Sequence, residues 1–280
     1  MASGTNKKGA GRKGAGKNRA VKAARGSVVA KKHTPWGTII AVIAILALAG
    51  GVFGYYWMAS ADQREQRSRE EAAAAFAPSE QNPDPSKQLE GITIKQYEGG
   101  AHVKPNERVA YDQTPPFGGP HDGYWAACSG ITYPQPVRTE NMVHSLEHGA
   151  VWIAYNPERV KGEALEKLKV RVDGKPYTMM SPYPGLQAPI SLQSWGHQLT
   201  VESAEDERID QFIAALRRNP NTYPEVGASC DALGQGMFDP DNPPPFDPSP
   251  PGPDAKPMDY QGSEDAQQMG EQPAPQTPEG

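Results

Sequence analysis

From Thr34 to Ala61 the chain carries no charged residue, and this stretch limits what every other part can do. Its apolar centre runs from Thr38 to Leu48 and continues through Val52 and Phe53. About 22 such residues at a rise of about 1.5 Å each span about 33 Å, enough to cross a hydrocarbon core about 30 Å thick. Trp36 stands at one edge and Tyr55, Tyr56 and Trp57 at the other, where interfacial aromatic belts sit. We read residues 36–58 as one transmembrane helix. Residues 1–35 hold ten Lys or Arg and no Asp or Glu. The positive-inside rule therefore keeps this head cytoplasmic and puts everything after about residue 60 outside, in a single-pass cell-membrane protein. The alternative is a cleaved signal peptide, because Ala59-Ser60-Ala61 fits a small-x-small site. The basic region is too long for that, and the apolar stretch exceeds the usual length of about 7–15 residues.

The formal net charge of −5 hides this basic head, which leaves −15 for the remainder. The head could meet anionic lipid or nucleic acid. No aromatic residue interleaves positions 1–35, which argues against nucleic acid and for a disordered topogenic tail. Residues 59–88 read as a charged stalk, helical over 62–77 and ended by Pro78, Pro83 and Pro85, followed by a linker. A folded domain is expected over 89–232. Beyond it, residues 233–280 hold 12 prolines and nine acids against one lysine, Lys256, the composition of a Pro-rich acidic disordered tail.

Inside the domain, Ile92–Tyr97 and Arg108–Tyr111 suit short strands, and residues 114–121 are too rich in Pro and Gly for regular structure. Val151–Tyr155 is a continuous apolar run, as in a strand buried on both faces. Asn156-Pro157 suits a helix start, with Val160, Ala164, Leu165 and Leu168 inward. Tyr177–Met180 reads as a strand, and Ile190–Trp195 and Gln198–Val201 as two more, joined by a tight turn at Gly196-His197. Ser203 suits the cap of a last helix whose Ile209, Phe212, Ile213 and Leu216 recur at i, i+3, i+4 and i+7. The expected fold is α+β: a single extracytoplasmic domain with a mixed or antiparallel sheet and two helices, preceded by the transmembrane helix.

Against the strand at Val151 lies Asn141-Met142-Val143-His144-Ser145-Leu146-Glu147-His148-Gly149. On a helical turn His144, Glu147 and His148 share one face, and imidazoles at i, i+4 spacing can ligate one ion, zinc or copper. His121 and His102, on loops, are the further ligands to expect, with Glu147. In the bland alternative the two histidines only cap and hold a short helix. His144-x-x-Glu147-His148 also spells the inverted zinc-peptidase motif, in which Glu147 would activate water. Gly149 ends that helix at once, which speaks against it. Met179-Met180 could add thioethers for Cu(I), although methionines in an apolar strand are more often core. Cys128 and Cys230 would lie outside the membrane, where disulfides persist, so a bridge is expected; free thiols and metal ligation are the alternatives.

Pro115-Pro116-Phe117-Gly118-Gly119-Pro120-His121, Trp125, Val143–Val151 and Tyr223-Pro224-x-x-Gly227-Ala228-Ser229-Cys230 together resemble the bacterial domain-of-unknown-function 3105 family over about residues 90–231. The resemblance implies a membrane-anchored protein with its domain outside, and brings no established activity. Three readings follow: a non-catalytic metal-binding envelope domain, a metal-free structural or interaction module meeting an envelope partner through the Pro-rich loop or acidic tail, and a zinc metallopeptidase.

Overall fold

The computed structural model describes residues 35–234 and 236–263. Residues 1–34 of the basic head and 264–280 of the tail lie outside these. The chain divides at Trp57 into two compact units. The first contains the apolar part of helix α1 (Trp36–Ala73), a helix long and apolar enough to cross a membrane. The stalk is no separate helix: α1 runs on through the charged residues, where Arg69 pairs with Glu65 at 2.6 Å. Nor is the linker free. Ala73, Pro85 and Ser86 are buried, and Asn219 donates to the Pro83 carbonyl at 2.8 Å. These contacts begin the packed domain before residue 89.

In the second unit, six strands form a mixed sheet: β1 (Thr93–Ile94), β4 (Ser129–Thr132), β5 (Val151–Tyr155), β6 (Thr178–Pro182), β7 (Ile190–Ser194) and β8 (His197–Val201). Their order is β1-β8-β7-β5-β6-β4, with β4, β6 and β5 mutually parallel and β5, β7, β8 and β1 antiparallel. A separate two-residue parallel pair joins β2 (His102–Val103) to β3 (His121–Asp122).

Strand β5 explains the layering. Successive side chains alternate faces, so Val151, Ile153 and Tyr155 pack with Leu168 and Val172 of α3 (Glu163–Val172) and with Ile209, Phe212 and Leu216 of α4 (Arg208–Leu216). Trp152 and Ala154 face the other way, onto Met142, Val143 and Leu146 of α2 (Thr139–Glu147). Both faces are dry, which is why the run shows no polar alternation. Met179 and Met180 divide between the same two cores. Helix α2 is therefore a full helix on the face opposite the two expected ones.

Several local expectations shift. Asn156-Pro157 forms a turn in which the Asn156 side chain accepts from the Glu158 N–H, and α3 starts only after Gly162. The hairpin turn is Trp195-Gly196, because Ser194 pairs with His197. His197 is thus not an exposed turn residue but a buried strand residue, with Nδ1 on the Trp195 carbonyl. Ser203 holds the Glu205 N–H, while Asp206 accepts from the Arg208 N–H where α4 begins. Around Arg108–Tyr111 only a bridge forms, from Val109 to Lys256.

That bridge belongs to the largest correction. Residues 236–263, expected within a disordered tail, pack back along the domain. Phe238 is fully buried beside Tyr133, the Arg138 N–H donates to Pro244 O, and Ala110 N–H donates to Lys256 O at 2.8 Å. Extended backbone rich in proline can bury side chains and join hydrogen bonds at an edge without any periodic pattern.

Candidate metal centre

Helix α2 presents His144 and Glu147 one turn apart, and its C-terminus is fixed by a Gly-dependent cap. The Gly149 N–H donates to Leu146 O and the Ala150 N–H to Ser145 O, the paired bonds of a Schellman motif. Gly149 has φ +87°, a left-handed conformation that suits glycine, and a Cβ there would come within 2.6 Å of the Tyr223 ring. The helix thus turns sharply into β5 directly after His148.

The β2–β3 pair brings in two more histidines from far apart in sequence. His102 and His121 are direct register partners, so both side chains leave the same face of that ribbon. Arg138 locks the ribbon to α2 by bonding the Asp122 carboxylate and the Glu107 carbonyl. Burial raises the Asp122 carboxyl pKa, with Arg138 partly offsetting that effect.

His102, His121, His144 and Glu147 are all buried, and one ligand atom from each lies within 4.8 Å of all the others. The His102 ring stacks on His144 at 4.9 Å, and His121 lies 4.7 Å from His144 and 5.0 Å from His102. Two rings are oriented by backbone carbonyls: His121 Nδ1 lies 2.8 Å from Gly119 O, and His144 Nδ1 2.6 Å from Asp122 O. A carbonyl accepts only, so each Nδ1 carries the hydrogen, and in the neutral form of either ring Nε2 then keeps its lone pair. His121 Nε2 and Glu147 Oε2 stand 2.6 Å apart, yet off the direction of a hydrogen bond, and neither has another hydrogen-bond partner. Glu147 Oε1 accepts from the Gly100 N–H at 2.6 Å. At Gly99 a Cβ would collide with that oxygen and with Pro224, so glycine is required there by close approach.

The electrostatics fit this crowding. Burial first, and then the neighbouring His121, His148 and His102, push the His144 pKa well below its usual value, so this imidazole is neutral at pH 7. For Glu147 burial works toward a higher pKa, but the His121 charge and the Gly100 N–H outweigh it and the net direction is down. For His121 burial works downward and is outweighed by Glu147.

His148 goes elsewhere. Its Nδ1 is 2.6 Å from Ser229 O and its Nε2 3.1 Å from the Glu225 carboxylate. Together with His144 these residues form a second group of possible ligands, again within 4.8 Å of one another. Of the five residues expected to ligate a metal, four converge and His148 stands beside them with Glu225, an acid the sequence did not single out. Cys128 and Cys230 are joined by a disulfide, which ties Ser229 next to α2 and withdraws both thiols from metal binding. Met179 and Met180 belong to the two cores. The Pro-rich loop is buried along residues 115–123.

Both His/Glu groups and both cysteines fall within residues 102–232, which match the family described as protein of unknown function, DUF3105. These residues are a DUF3105 domain. No curated protein and no solved structure matches the chain. In this DUF3105 domain the site must therefore be read from its own chemistry. Three imidazole nitrogens and one carboxylate oxygen suit zinc and other borderline divalent ions, and the donor set lacks the thiolate or thioether that selects Cu(I).

Proposed function

We propose that this DUF3105 protein is a single-pass envelope protein whose external domain binds one divalent metal ion, zinc or Cu(II), without catalysing a reaction. The observation that carries the reading is the convergence of His102, His121, His144 and Glu147 in one buried cluster. A histidine that merely held the fold would point its two nitrogens at separate partners. Here His121 and His144 spend Nδ1 on carbonyls and leave Nε2 for the cluster, the arrangement in which metal-ligating histidines are held. Four protein ligands in a buried cluster match a closed, structural type of site, whereas catalytic zinc keeps a position open. Glu147 supports the same conclusion: one oxygen is on the Gly100 N–H and the other beside His121, so the acid sits among the ligands. That weighs against peptidase chemistry. The disulfide and the basic head support placing the domain outside and the N-terminus in the cytoplasm.

The test is elemental analysis of the full-length protein purified in detergent after loading with zinc or copper. One ion per chain is expected, lost in His121→Ala and in His144→Ala. Metal-free wild type after loading, or metal retained in both variants, overturns the reading.

A further inference from the structure

We infer that His144, His148 and Glu225 form an outer position through which the ion reaches and leaves the buried cluster, an inference that rests on the metal-binding reading above. The ligand atoms of the three lie within 4.8 Å of one another, and the His144 and His148 rings are 4.7 Å apart. Exposure falls steeply along the set: the Glu225 side chain is 39% exposed, His148 3%, and His121 and Glu147 in the inner cluster 0%. A hydrated cation meets the carboxylate first, exchanges water for imidazole at His148, and arrives at His144, which belongs to both groups.

The sharing fixes the stoichiometry. His144 and His148 have Nδ1 committed to Asp122 O and Ser229 O, so each offers only Nε2. One Nε2 lone pair serves one ion at a time. The inner and outer positions are therefore alternative seats of a single cation, and His144 is the group that stays bound while the others exchange. The frame is built for it. The Glu225 N–H donates to Glu147 O at 3.2 Å, so the outer acid is tied to the end of the helix that carries the inner one. The Trp125 ring lies 4.8 Å from His148 and 5.6 Å from His144, walling one side of the path, and its indole N–H is anchored on Asp231 O. An ordinary surface ion pair would need neither the shared histidine nor this wall.

The experiment uses full-length protein in detergent, stripped of metal, with zinc alone as the probe. Stopped-flow mixing follows uptake, and release is followed by capture in a chromogenic chelator. The wild type is expected to take up one zinc per chain. Glu225→Gln and His148→Gln should each hold one zinc per chain but load and release it about tenfold more slowly, a size set by analogy with the low end of the loss in affinity or activity when an outer-shell partner is removed. Glu225 is partly exposed, so its substitution leaves a folded chain to measure even if His148→Gln does not. Rates equal to wild type in Glu225→Gln, or two zinc ions per wild-type chain, overturn the outer position while leaving the buried site standing. Loss of zinc from Glu225→Gln also overturns it, by making Glu225 a permanent ligand. No zinc in the wild type refutes the metal-binding reading itself.

Discussion

Removing the disulfide separates the stability of the domain from the integrity of its inner ligand set. The bridge joins residues 102 apart in sequence, and its two Cα atoms are 4.7 Å apart. The Cys128 N–H also donates to the Cys230 carbonyl at 2.9 Å, so the backbone approach does not depend on the sulfurs alone. In a Cys128→Ser/Cys230→Ser variant the native geometry should survive, and the loss should fall on the unfolded state, which regains the freedom of a long loop. For a loop of about 100 residues that is about 4–5 kcal/mol, set against about 5–15 kcal/mol for a whole domain. Urea unfolding of the full chain in detergent, followed by tryptophan fluorescence, reads this directly. With a slope of about 2 kcal/mol per molar, the midpoint should fall by about 2 M. His102 and His121 precede the closed loop while His144 and Glu147 lie within it, and the backbone groups that orient them, Gly119 O, Asp122 O and the Gly100 N–H, do not depend on the sulfurs, so zinc stoichiometry should be unchanged. A midpoint shift under about 0.5 M, or loss of zinc from a variant that is still folded, would refute this division.

Phe238→Ala should cost about 3 kcal/mol if the segment after Cys230 is core, as its full burial indicates; an unchanged unfolding midpoint would return that segment to a solvated tail. Gly149→Ala combines a left-handed backbone with a Cβ against Tyr223, and should destabilise by about 2 kcal/mol or more, read by thermal unfolding. Asp84 contributes to pH dependence. Burial works to raise its pKa, but the His197 imidazole 3.5 Å away and the Ser86 hydroxyl that donates to it outweigh that and hold it well below the usual 3.8. The group is thus charged in the fold at a pH where the unfolded chain binds a proton, and its stabilisation is complete above about pH 5 and fades as pH falls through the usual carboxylate range. Asp84→Asn should therefore be less stable than wild type at pH 7, with the gap closing toward pH 3; a gap constant with pH would refute the assignment.

How much of this was legible depended on whether a residue's role has a local pattern. Val151–Tyr155 and the apolar stripe of α4 were readable because burial on two faces or on one stripe writes a period into sequence. The His144–Glu147 face was readable for the same reason, and so was the end of its helix at Gly149. His102 and His121 could be named only as loop histidines, since the ribbon that pairs them is two residues long and carries no period. The partner of His148 was not legible, because helical spacing gives a direction but not a destination; its ring turns to Glu225, which only the chain reversal near Cys230 brings close. The segment over 236–263 misled because proline-rich, acidic chain looks the same whether solvated or packed, and its core-packed aromatics, Phe238 and Phe246, follow no period.

The central claim is that one buried cation shares His102, His121, His144 and Glu147. X-ray absorption spectroscopy of the zinc-loaded, full-length protein tests it most directly, because it reports the donors themselves. Four nitrogen or oxygen donors are expected at about 2.0–2.1 Å, with the outer-shell scattering of three imidazoles. A shell dominated by water, a sulfur at about 2.3 Å, or fewer than two imidazoles would contradict it.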